Sequence, residues 1–134
     1  MQTQRPTFPA VLIGGDAAAL AVVTAAGFAT HGELASAGLR MLTTWVPLCL
    51  AWALIAPWLG LYDVSLVYQF RQMWRPALAA ALAAPMAGLL RSLALGSAPI
   101  LPIFVLVLGA TSALALFAWR ILWVLFQNRR RVYG

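Results

Sequence analysis

The chain has 134 residues, of which 63% are hydrophobic and only 9% charged, with a formal net charge of +6. A soluble domain carries about 25% charged residues, so this composition excludes an ordinary water-soluble domain and predicts a membrane protein. All nine basic residues are arginine and most sit beside the ends of apolar runs, as topology signals do, which argues against nucleic-acid binding.

Four segments approach or exceed the ~20 mostly apolar residues that cross a bilayer as a helix. They cover about residues 10–30, 41–61, 76–95 and 100–126. The expected fold is therefore all-α, a single membrane domain of four antiparallel transmembrane helices. The first run follows Arg5 and could pass for a secretion signal, but Asp16 interrupts it and it is long enough to span, so it reads as a retained helix. The second carries Pro47 and the single cysteine, Cys49, which permits no intrachain disulfide and reads as a small buried hydrophobe. Between the second and third runs, Leu66, Val67, Phe70, Met73 and Trp74 fall on one side of a helical wheel and Ser65, Gln69 and Gln72 on the other. This pattern predicts an amphipathic helix over about residues 64–75, lying in the interface plane with Arg71 and Arg75 near lipid phosphates. Pro76 suits the start of the third helix, Pro85 interrupts it, and Gly96 with Pro99 suits its stop. The fourth run exceeds the bilayer thickness and should tilt or protrude. Pro47 and Pro85 are expected to kink their helices and free a backbone carbonyl each.

Arginine placement predicts orientation. Arg5, Arg71, Arg75 and Arg129 to Arg131 fall on one side of such a bundle, against Arg40 on the other. Both termini are then expected in the cytoplasm, with the protein in the inner (plasma) membrane of a bacterial cell.

Ionisable side chains at membrane depth normally face protein or water and find a partner, since exposure to lipid costs about 2.5–3.5 kcal/mol on insertion scales. Asp16 lies about six residues into the first helix and Arg120 about six from the cytoplasmic end of the fourth run. At 1.5 Å per residue both sit roughly 9 Å deep, so they are expected to pair. Arg91 lies near the outer end of the third helix, level with His31 and Glu33. These three form an expected outer polar cluster, with Arg91 snorkelling outward or bonding Glu33 or carbonyls near His31. Ala80, Ala84 and Gly88 share a small-residue stripe with Arg91, and Gly109 and Ala113 share one with Arg120, as close helix packing requires. A matching stripe of Asp16, Ala19, Val23 and Gly27 is expected on the first helix. Trp58, Trp74, Trp119 and Trp123 read as an interfacial belt; Trp45 and Trp52, seven apart, leave room for a pigment or quinone. No phosphate-binding glycine loop, H-E-x-x-H, C-x-x-C or G-x-S-x-G is present, and no catalytic, metal or cofactor site is expected.

The "GGD" of the first helix, Phe28 and His31, Pro47 and Trp52, "LLRSL", "PIFVLV" and Trp119-Arg120 together resemble, in order and spacing, a prokaryotic family of small four-helix membrane proteins. That family is catalogued only as a domain of unknown function (3054). The resemblance covers about residues 10–123 and implies a polytopic membrane protein without naming a substrate. From the residues, the first expectation is a non-enzymatic subunit, in contact with the lipid bilayer, that packs as a homo-oligomer or in a larger membrane complex. The alternatives are an oligomeric transporter or channel for a proton, an anion or a small solute, and a pigment-binding or electron-transfer accessory subunit.

Overall fold

The structure, a computed structural model, describes residues 10–32, 34–36, 38–63, 69–97 and 99–133. Four long helices carry it: α1, Ala10–Thr30; α2, Gly38–Ile55; α3, Trp74–Ala94; and α4, Pro102–Tyr133. With the short 3-10 turns that extend two of them, all four are long and apolar enough to cross a membrane. α1 packs against α2 and α4, and α3 packs against the same two helices, so the main contacts close a ring of four. The outward faces carry side chains such as Val22, Leu50, Leu93, Leu106 and Leu122, all more than half exposed. In a bilayer these faces meet acyl chains, and the helical backbone satisfies its own hydrogen bonds there.

The helix ends depart from the hydropathy boundaries for local reasons. α2 gives way at Ala56 to the 3-10 turn Ala56–Leu59, because Pro57 has no amide hydrogen with which to continue the α-helix. Gly60 follows at φ +69°, and its N–H bonds back to Pro57 while that of Leu61 bonds to Ala56 at 3.1 Å. This left-handed cap suits glycine and leaves the Leu61 carbonyl turned away from the helix it ends. At the other boundary, α3 begins at Trp74, with Pro76 inside the first turn, where amide hydrogens lack intrahelical partners anyway. α4 runs on to Tyr133, past the expected end near residue 126. Its 32 residues make about 48 Å of helix, against a hydrocarbon core of about 30 Å.

The stretch expected to form one interfacial helix follows a different path where it is described. Gln69 is extended, Phe70–Gln72 is a single 3-10 turn, and α3 starts two residues later. Met73 is buried against the bundle, while Phe70 and Trp74 are exposed. Leu66 and Val67 lie outside the described residues. Arg75 is not spread towards lipid phosphates: its Nη1 donates to the Leu59 carbonyl at 2.7 Å and its Nε to Gln72 Oε1 at 2.6 Å. The guanidinium thereby ties the start of α3 to the end of α2.

Small residues do their packing inside the chain. Ala80, Ala84 and Gly88 are all buried on α3, and a Cβ on Gly109 would stand 3.3 Å from that of Ala84. Ala113 is half-buried against the same core. Of the stripe expected on α1, Asp16 is buried and Ala19 and Val23 pack half-buried against the core, beside buried Leu12, Leu20 and Thr24, while Gly27 is exposed. Pro47 is buried within α2 and Pro85 exposed within α3, and each helix continues through its proline.

Candidate functional site: a buried ion pair beneath an open cavity

Asp16 and Arg120 meet between α1 and α4. Arg120 Nη2 donates to Asp16 Oδ2 at 2.6 Å and Arg120 Nε to Oδ1 at 3.1 Å, a side-on, two-pronged contact. Such forks are the strong geometry for guanidinium and carboxylate. Neither side chain is more than 3% exposed. The remaining bonds come from the far end of α2. Arg120 Nη1 donates to the Leu61 carbonyl at 2.8 Å, the group that the cap at Gly60 turns inward. Tyr62 Oη donates to Asp16 Oδ2 at 3.0 Å, and Trp52 Nε1 is shared between that carboxylate oxygen and Tyr62 Oη. The Arg120 guanidinium also lies 5.5 Å from the centre of the Tyr62 ring. Asp16 thus receives hydrogen bonds from three side chains, which is how a buried charge offsets the loss of water.

Tyr62 lies just beyond the membrane-crossing part of α2. Burial, and next the neighbouring Asp16 carboxylate, push its phenol above the usual tyrosine value of about 10. The unfolded chain then releases this proton at a lower pH than the folded one. Tyr62 therefore contributes its full stability below about pH 10, and that contribution is lost as the pH rises further. Tyr62→Phe is expected to cost about 1.5 kcal/mol near neutral pH, the loss of one hydrogen bond to a charged acceptor. Thermal unfolding in detergent would measure the cost, and the variant should also show a weaker loss of stability at alkaline pH than the parent.

Sequence reasoning does not bring Trp52 and Tyr62 to this cluster. For Trp52 a signal exists, since it lies on α2 at the depth of Asp16. Tyr62 carries none, because the turns at Pro57 and Gly60 decide where it points. Trp45 is engaged elsewhere, its Nε1 donating to the Ala17 carbonyl at 3.1 Å.

A cavity of about 500 Å³ opens at the other end of the bundle. The C-terminal part of α1, the N-terminal parts of α2 and α4, and Arg91 from α3 line it. Thr24, on its wall, is eight residues from Asp16, or about 12 Å along α1. Leu20 and Leu116, both fully buried, stand on α1 and α4 one turn from the ion pair, on its cavity side. Ser112 is also fully buried, and its Oγ has no hydrogen-bond partner among the described residues.

His31, Arg40 and Arg91 all line the cavity. His31 is exposed in the turn after α1. Arg91 is half-buried, with its guanidinium 5.6 Å from the centre of the Phe104 ring, and its buried Nε has no partner among the described residues. Glu33, the expected third member of the outer cluster, lies outside the described residues. No three His, Cys, Asp or Glu side chains are grouped to hold a metal among the described residues.

Four apolar helices around a buried ion pair define a small multi-pass membrane protein. The family described as a protein of unknown function (DUF3054) matches residues 13–123, and the chain belongs to it. All of Asp16, His31, Arg91 and Arg120 fall within the match. Among curated proteins and among solved structures, nothing matches the chain.

Proposed function

We propose that the protein is a non-enzymatic transporter of a small solute in the bacterial inner membrane, working as an oligomer. Its four helices run antiparallel with both termini in the cytoplasm, and the cavity then faces outward. The observation that carries this reading is the cavity of about 500 Å³, a volume within the usual range for small-molecule sites and bounded by residues of all four helices. The Asp16–Arg120 cluster and the leucines above it close the inner end. In a carrier, these are the contacts that part when the site turns to the cytoplasm. The packing-subunit reading loses its main support, since the stripe of Ala80, Ala84 and Gly88 is already consumed within the chain.

The test is access. In a Cys49→Ala background, Thr111→Cys places a thiol on the cavity wall, and Trp52→Cys places one beside the ion pair. A membrane-impermeant thiol reagent added outside intact cells should modify the first and leave the second unmodified. Modification at Thr111→Cys only from the cytoplasmic side, or from neither side, would sink the outward-facing carrier.

A further inference from the structure

We infer that the cavity binds a single-chain amphiphile with a carboxylate head, the head seated on Arg91 and the chain lying along Val23 and Leu108. This names the solute class of the transporter proposed above and rests on that reading.

The charge of the site comes first. Arg91 lines the cavity, and no acidic side chain does so among the described residues. The helix ends add no net bias. Two helices bring their N-terminal parts and two their C-terminal parts, so the dipoles oppose one another. The positive potential is therefore the work of side chains, and the occupant it favours is an anion.

Arg91 fixes where the head sits. A guanidinium offers five N–H donors in a rigid fork and accepts nothing. Nε of Arg91 is buried away from the cavity and one face of the group lies against Phe104, so the terminal Nη1 and Nη2 groups are the donors left for a ligand. What remains is an in-plane edge, and a planar two-oxygen acceptor matches it. Carboxylate fits better than a ligand needing acceptors from the protein.

The rest of the wall selects for an apolar body. Four of its five threonine hydroxyls spend their hydrogens locally: Thr24 on the Leu20 carbonyl, Thr30 on Gly27, Thr43 on Arg40 and Thr111 on Val107. A sugar or polyol would find few donors there. Val22 and Val107 at the rim are 66% and 54% exposed, so an acyl chain longer than the cavity continues into the surrounding lipid.

Equilibrium dialysis of radiolabelled dodecanoate against the full chain in phosphatidylcholine nanodiscs, with empty discs subtracted, tests the assignment. Saturable binding is expected, at least tenfold tighter than dodecanol. Arg91→Gln should weaken dodecanoate at least tenfold and leave dodecanol unchanged, with Arg91→Lys in between. Val107→Trp, which fills the cavity from an exposed position, should abolish binding of both probes. Equal affinity for acid and alcohol, or an unaffected Arg91→Gln, overturns the anion assignment while leaving a solute site in place. Dodecyl phosphate binding tenfold tighter than dodecanoate overturns the carboxylate head. If no amphiphile binds but Thr111→Cys is still labelled from outside, this inference fails and the transporter reading stands with another solute. If labelling fails as well, both fall.

Discussion

Asp16→Asn is expected to destabilise the protein by about 3–5 kcal/mol, because it strands the Arg120 charge in a site with almost no contact with water. The pair is held by its own two bonds and by Tyr62, Trp52 and the Leu61 carbonyl, so removing one charge disturbs every partner. Arg120→Gln should cost a similar amount for the converse reason, a buried carboxylate left with only neutral donors. Replacing both charges by apolar residues of similar size, Asp16→Leu with Arg120→Met, should recover most of the loss, since a buried pair roughly breaks even against good apolar packing. Denaturant titration in mixed micelles would rank the four proteins. Single variants within about 1 kcal/mol of the parent would mean that water reaches the site and that the pair is not the buried structure described above. The double variant also separates structure from function. If it folds as well as the parent but no longer moves solute, the ion pair belongs to the transport cycle and is more than a fastening.

Depth alone places Asp16 and Arg120 at one level of the bundle, because rise per residue is fixed by helix geometry and four spans leave few ways to align them. The number of spans is equally legible from hydropathy. What surrounds the pair is not. Tyr62 reaches Asp16 only because Pro57 and Gly60 break α2 into a 3-10 turn and a left-handed cap, and a hydropathy window merges those residues into the span. The buried face of α1 is wider than its small-residue stripe for a different reason. Small residues mark where backbones can approach, and Ala19 and Val23 do pack against the core, but α1 also buries Leu12, Leu20 and Thr24 around its aspartate and leaves Gly27 exposed at the cavity. Arg91 stands out at once as a charge in an apolar run. The cavity it lines does not, since a void bounded by several helices leaves no mark on any one of them. Between the second and third spans, the amphipathic pattern is real but short. Met73 is drawn into the bundle and Arg75 to a backbone carbonyl, contacts that compete with lying on lipid.

Gly15→Val should cost at least about 3 kcal/mol, the upper end of what overpacking does to a well-filled interface. A Cβ on Gly15 would overlap the six-membered ring of Trp119, which lies directly against the α1 backbone. That ring cannot swing aside cheaply, because it is half-buried and packs against Trp123 with centroids 6.0 Å apart. The strain must instead separate α1 from α4. Asp16 and Arg120 are the next residues along the two helices, so the same displacement stretches the ion pair, and the two losses add. Gly14 provides the internal control. A Cβ there would meet nothing within 4 Å, so Gly14→Ala should be neutral or stabilise by up to about 1 kcal/mol through helix propensity. Shortening the opposing ring should restore room, so Trp119→Leu is expected to rescue Gly15→Ala in part. Thermal unfolding of these variants in detergent decides the matter. Equal stability for Gly15→Val and Gly14→Val would show that α1 and α4 are not held at this contact, and the close approach that brings Asp16 to Arg120 would then need another origin.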